Sequence, residues 1–147
     1  MTLPYVDTSA LAKWYLNEAF SEEVEAFLQA FPAVHISSLT AVETHCLLAR
    51  RRRSGEISRE LEGQILELFL HDIRTGYLRA IPLHDPQTAV ALQLMGRLPT
   101  PLGLRTLDAL HLAIVQDAQL RTLATADRLM ASAAEEIGLE VVRFFPG

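Results

Sequence analysis

Four acidic side chains, Asp7, Glu43, Asp108 and Asp127, are the residues of this chain best placed to do chemistry. Each lies where a parallel α/β fold returns to one edge of its sheet. Asp7 closes the apolar run that starts at Leu3 and precedes TSALAKWYL, which reads as a helix; Asp127 repeats that arrangement after the run from Arg121 to Ala126. In open parallel sheets ligands bind beyond the carboxyl ends of the strands, so acids at strand-to-helix junctions converge in space although they are distant in sequence. Converging carboxylates repel one another unless a cation sits among them. An all-oxygen donor set of this kind suits Mg²⁺ or Mn²⁺, both hard cations.

Each acid also has a local explanation. Asp7 and Asp127 stand where helix N-caps are expected, since a carboxylate there accepts from the free amides of the first turn. Asp108 opens a helix, where its charge complements the positive end of the dipole. Glu43 can be the third residue of a capping box begun by Thr40. Its helical face argues for more than that: Leu39, Val42, Cys46 and Leu47 form an apolar stripe, and Glu43 falls within it, directed at the protein and not at solvent. A buried, unpaired carboxylate is costly.

The elements that must position these acids follow from periodicity and punctuation. Strands are predicted at Leu3 to Asp7, Ala33 to Ile36, Tyr77 to Leu83, Thr122 to Thr125 and Glu140 to Phe144. Between them helices are predicted from Thr8 to about Asn17, from a Ser21 cap to about Phe31, over Leu39 to Arg53, from Ser58 to Gly76, from an Asp85 cap with Pro86 at its first position to about Arg97, over Leu107 to Ala118, and from Asp127 to about Ile137. Pro99, Pro101 and Gly103 mark a loop before the sixth helix, which is apolar on nearly every side and so reads as buried. Strands alternating with helices imply a layered, mainly parallel sheet.

The 147 residues suit a single domain spanning 1–147, long enough to bury roughly 68–70% of the surface of the unfolded chain. Half of them are hydrophobic, no segment is repetitive, and neither a signal peptide nor a membrane span is evident. The lone Cys46 cannot form an internal disulfide, so a reducing, cytoplasmic setting is expected. A net charge of −5 argues against a protein that coats nucleic acid with a broad basic surface. It leaves a nuclease open, because carboxylates that hold metal count as negative only when unloaded.

YVDTSALAKWY from Tyr5, ISSLTAVETHCLLARRRRSG from Ile36, RTLDALHLAIV from Arg105 and LATADRLMASA from Leu123 resemble the four motifs of PIN-domain ribonucleases. They occur in the family's order and span nearly the whole chain; the short length and the DALHLA segment bring it nearest to the VapC-like toxins of toxin–antitoxin pairs. The resemblance implies a three-layer α/β/α fold and metal-dependent endonucleolytic cleavage of RNA, with Asp7, Glu43, Asp108 and Asp127 as the acids and Thr8, Ser9 and Thr125 as supporting polar groups. It also implies a homodimer and an antitoxin partner, and Trp14, Tyr15 and Phe20 suggest apolar surface for self-association. Ala126 stands where the family often has a polar residue.

Other constellations point elsewhere. Arg50 to Arg53 cannot share one helical face, so some of them must simply meet solvent. His111 follows Asp108 at helical spacing, but no second acid-x-x-His copy supports a di-iron bundle, and a core histidine is expected. His71-Asp72 and His84-Asp85 resemble the doublet of helical metal phosphohydrolases, a rival that the number of predicted strands weakens. His35, His45 and Cys46 form no zinc motif, and Lys13, the only lysine, comes too early for a phosphoacceptor receiver. A further alternative is a scaffold that binds protein with little or no catalysis.

Overall fold

In the computed structural model, which describes residues 2–99 and 103–147, the alternation of apolar runs and helical patterns resolves as follows. The first half runs β1 (Tyr5–Val6), α1 (Thr8–Tyr15), α2 (Ser21–Gln29), β2 (Val34–Ser37), α3 (Ser38–Arg53) and α4 (Arg59–Arg74). The second runs β3 (Leu78–Ile81), α5 (Asp85–Arg97), α6 (Thr106–Asp117), β4 (Thr122–Thr125), α7 (Arg128–Glu136) and β5 (Glu140–Arg143). All pairings in the five-stranded sheet are parallel, in the order β3-β2-β1-β4-β5. Tyr5 stands opposite both His35 and Leu123, and Val6 opposite Ala124.

Side-chain alternation along the strands divides the interior into two layers. Tyr5 and Leu123 face one core, built with Leu94, Leu112, Ile114 and Met130 from α5, α6 and α7. Val6, Ala124, Val34 and Ile36 face the other, with Leu11, Leu28 and Phe69 from α1, α2 and α4. Helices therefore cover both faces, as expected for a sheet that reads as near-continuous apolar runs. Helix α6 is buried on most sides, with Ala109 buried and Leu112 to Val115 inaccessible, in line with its uniform apolarity.

The strand order places the carboxyl edge of the sheet at a switch point. From β1 the chain winds outward to β2 and β3, then crosses back to β4 on the opposite side of β1 and continues to β5. The ends of β1 and β4 thus flank the place where connections diverge, the position that leaves a crevice in open α/β sheets. Because α6 leads into β4, its first turn also lies at this edge.

Several local expectations change. β1 is shorter than predicted, since Asp7 leaves the ladder to cap α1, although its amide still donates to the Ala124 carbonyl at 3.0 Å. Ser21 does not cap α2: Phe20 does so in a left-handed conformation, while the Ser21 hydroxyl donates to the Leu16 carbonyl. His84 precedes α5 as its cap, and Asp85 is already helical. Pro101 of the predicted loop lies outside the described residues. Trp14, Tyr15 and Phe20 pack against the second core but are only partly buried, so each keeps part of its apolar surface open. The largest exposed apolar side chains include Leu92 and Val42.

Candidate metal centre

Asp7 owes its position to two things the sequence dictates: an apolar strand that must be central, and a helix that begins directly after it. As the N-cap of α1 it accepts from the Ala10 amide at 3.1 Å, and the same Oδ1 accepts from the Ser9 hydroxyl at 2.7 Å. Its Oδ2 accepts from the Thr125 hydroxyl at 2.6 Å. Only 3% of Asp7 is exposed, and burial pushes its carboxyl above the ordinary aspartate range, although Ser9, Thr125, the charge on His111 and the Ala10 amide all oppose that shift.

The two hydroxyls that serve Asp7 also hold the turn after β4. Ser9 Oγ accepts from the Ala126 amide at 2.9 Å, and Thr125 Oγ1 accepts from the Asp127 amide at 3.0 Å. Asp7 and Asp127 are therefore joined through one threonine hydroxyl across the β1–β4 junction. Asp127 caps α7 through Oδ1, which accepts from the Met130 amide at 3.0 Å. With Ala126 at its position the turn uses a main-chain donor, so no polar side chain is needed for this contact.

Glu43 reaches the same edge from α3. The capping box of that helix pairs Ser37 with Thr40, which removes the local explanation considered for Glu43. Its Oε1 instead accepts from the Thr8 hydroxyl at 2.7 Å and from His111 Nε2 in a short contact. Burial pushes the Glu43 carboxyl up, but the bond from His111, the charge on that imidazole and the Thr8 hydroxyl outweigh it and leave the group below the ordinary glutamate range. The stripe expected to bury this face is only partly covered: Leu39 is buried, whereas Val42 is 62% exposed and Cys46 lies open. These residues border a hollow of about 330 Å³ lined also by Thr8, Ser9 and Arg50.

Asp108 is the third residue of α6; its Oδ2 accepts from the Arg105 amide at 3.4 Å and lies 3.7 Å from the Arg105 guanidinium. One turn further on, His111 is buried as expected of a core residue, yet it is more than packing. Its Nδ1 meets the Tyr5 hydroxyl at 2.7 Å while Nε2 faces Glu43. The Asp108–His111 spacing was the available signal for this link. Nothing in the sequence identified Tyr5 as its inner partner.

Hydrogen bonds thus join Asp127 to Asp7 through Thr125, and Thr8, the neighbour of Asp7, to Glu43 and His111. Asp108 enters only through its place one turn before His111. Among the described residues no three Asp, Glu, His or Cys side chains are gathered tightly enough to enclose a cation as they stand. The donor chemistry nevertheless suits one: the groups are oxygens, and the second oxygens of Glu43, Asp108 and Asp127 take part in none of the bonds described. Of the other histidine-acid doublets, Asp72 accepts from the Tyr15 hydroxyl at 2.5 Å, and His84 lies 3.5 Å from Asp117, so they share no site. Among the described residues no helix is long and apolar enough to cross a membrane.

The profile of the PIN domain family matches residues 5–136, which contain all four acids. The chain belongs to the PIN-domain family. Within it, the chain resembles the VapC ribonucleases: it is 29% identical over 143 residues to Ribonuclease VapC47 of Mycobacterium tuberculosis, covering 91% of each chain. Its fold is that of VapC20 from the same species, a toxin that cleaves the sarcin–ricin loop, with a TM-score of 0.68, 18% identity and coverage of 88% of this chain and 93% of that one. VapBC2 of Rickettsia felis, solved with a DNA fragment from its promoter, gives a TM-score of 0.69 at 15% identity, covering 97% and 98% of the two chains.

Proposed function

We propose that the chain acts as one PIN-like domain and is a Mg²⁺- or Mn²⁺-dependent endoribonuclease, the toxin of a toxin–antitoxin pair in the cytoplasm. The observation that carries the reading is Asp7: a carboxylate buried at the switch point of a parallel sheet and held by three donors while its proton affinity is raised. Left without a cation such a group is unfavourable, and its surroundings orient it where a capping serine or asparagine would suffice for the helix.

Asp7, Glu43, Asp108 and Asp127 would hold the metal. A bound divalent cation supplies a more acidic water and neutralises charge on the phosphate as it is attacked. The chain's own residues do the rest: Ser9 and Thr125 fix Asp7, Thr8 and His111 fix Glu43, and Arg50 in the adjoining hollow offers a cation to the RNA backbone. Attack by the water oxygen on phosphorus breaks the bond to the 3′ oxygen. The water loses a proton and the leaving oxygen gains one, so the products are a 5′-phosphate and a 3′-hydroxyl. A homodimer and a small antitoxin protein complete the assembly we propose.

The test is incubation of the purified protein with a structured RNA, with Mn²⁺ or Mg²⁺ or with chelator, followed by sequencing of the RNA ends. New ends should appear only with metal and carry 5′-phosphate. Asp7→Asn, Glu43→Gln and Asp108→Asn should each lower kcat by roughly 10² or more while the fold persists. Cleavage that survives chelation, or normal cleavage by folded Asp7→Asn, would end the metal-carboxylate reading. RNA binding without cleavage in both metals would favour the catalytically weak binding module.

A further inference from the structure

Glu43 is the one acid of the four without a capping task, and its carboxylate is held by a chain of contacts that begins deep in the core. Tyr5 is fully buried at the centre of the sheet, where its hydroxyl donates to Ser37 Oγ at 2.9 Å and lies 3.5 Å from Thr40 Oγ1, the two residues of the box that starts α3. The same hydroxyl meets His111 Nδ1, and the two rings pack edge to face with centroids 5.8 Å apart. The inner nitrogen and the plane of the imidazole are therefore fixed from β1 and α3. With Nδ1 engaged, only Nε2 remains, and it faces Glu43 Oε1.

This arrangement does something specific to Glu43. One oxygen is held by Thr8 from α1 and by His111 from α6, while Oε2 takes part in neither bond, and the side chain is 24% exposed beside the hollow. A glutamate on a partly exposed helical face ordinarily samples several rotamers, and holding it from two other helices removes that freedom. Stability alone accounts poorly for the arrangement, because an apolar pair of similar volume commonly does as well as a buried ion pair. Groups that hold a metal's carboxylate in place commonly change metal affinity by about 10–100-fold when removed.

We propose that His111, braced by Tyr5, is a positioning residue that fixes Glu43 with one oxygen free to receive a divalent cation. The inference rests on the metal-dependent reading above and assigns to this chain a support that runs from the sheet centre to the site. His111 itself touches neither metal nor RNA.

The experiment is a Mn²⁺ titration of the RNA-free protein by calorimetry, with wild type, His111→Leu, His111→Gln and Tyr5→Phe. His111→Leu removes both hydrogen bonds while keeping much of the volume, and should raise the Mn²⁺ Kd by about 10–100-fold. In His111→Gln the side-chain amide can again place an N–H near Glu43, so affinity should recover most of that loss; a residue that merely filled space would show no such recovery. Tyr5→Phe should move the Kd in the same direction by a smaller factor. Cleavage by His111→Leu should return toward the wild-type kcat when Mn²⁺ is raised, with RNA KM little changed. If wild type binds Mn²⁺ and folded His111→Leu binds it equally well, the positioning role is wrong while the nuclease reading stands. Should His111→Leu fail to fold, an unchanged Kd in Tyr5→Phe overturns it in the same way. If wild type itself binds no Mn²⁺, the metal reading fails and this inference falls with it.

Discussion

Asp7→Asn separates the demands of folding from those of chemistry, and the two move in opposite directions. The Asp7 carboxyl is raised in the folded protein by burial, so its contribution to stability is fully present below the unfolded pKa and is lost as pH rises through the folded value. Without metal, ionising this buried carboxyl is a burden on the fold. Desolvating a carboxylate costs several kcal/mol after relaxation, and three hydrogen bonds to a charged acceptor return about 1.5–3 kcal/mol each; the upward shift says that burial prevails. Asparagine keeps an acceptor for Ser9 and Ala10 and needs only the Thr125 hydroxyl to turn. We expect a gain of about 1 kcal/mol, a rise in Tm of about 2–4 °C for a chain of this length. The assay is thermal unfolding of both proteins in chelator from about pH 4 to about pH 8, where the gap should open with rising pH because the unfolded wild-type chain gives up its Asp7 proton before the folded protein does. Adding Mn²⁺ at about a hundred times its Kd should then stabilise wild type by about 2.7 kcal/mol and leave the variant behind. An Asp7→Asn protein less stable than wild type in chelator at neutral pH, or a gap that ignores pH, would refute the burial argument.

The arginines of α3 should behave unequally. Arg51 is paired with Glu18 at 3.1 Å and Glu56 at 3.2 Å, so Arg51→Ala should lower stability by no more than about 1 kcal/mol and leave cleavage intact. Arg50 lies two turns beyond Glu43 and borders the same hollow; Arg50→Ala should raise the KM for RNA and lower the salt slope of binding by about 0.7, whereas an unchanged slope would remove it from the RNA path. For self-association the apolar face between α5 and α6, bordered by Leu92, Met95 and Leu110, is more open than the partly buried Trp14, Tyr15 and Phe20. Leu92→Asp should shift the solution mass from dimer to monomer in sedimentation, and a dimer that survives the change would place the contact elsewhere.

Element order was legible because it depends on local signals. Apolar runs bounded by Gly, Pro and Ser gave the strands, and periodicity gave the helices, within a few residues of the observed ends. Caps were less legible, because Ser21 and Asp85 have the right chemistry one position away from where the chain turns, and the turn itself is decided by tertiary packing. The direction of Glu43 was read correctly from a stripe that is only half real: Leu39 is inside, but Val42 and Cys46 are left open at the hollow. Periodicity shows which residues share a helical face, not whether anything covers that face. Tyr5 escaped notice because a tyrosine in a central strand reads as core until its hydroxyl is seen to have three polar neighbours.

The capping and metal readings of the acids looked like alternatives in sequence, and the geometry makes them compatible. A cap needs one carboxylate oxygen to accept from the first turn, and Asp7 and Asp127 each do this with Oδ1, as Asp108 does toward the Arg105 amide with Oδ2. A carboxylate has about four lone-pair sites, so meeting a local need leaves capacity for a cation. Capping also fixes the side-chain direction relative to the strand end, which long flexible acids elsewhere on a helix lack. Glu43 shows the contrast: with no cap to make, it needs Thr8, His111 and, behind them, Tyr5 to hold it. Three acids are positioned by the helix starts they stabilise and one by a buried relay, which is why the first three were visible as a pattern in the chain and the support for the fourth was not.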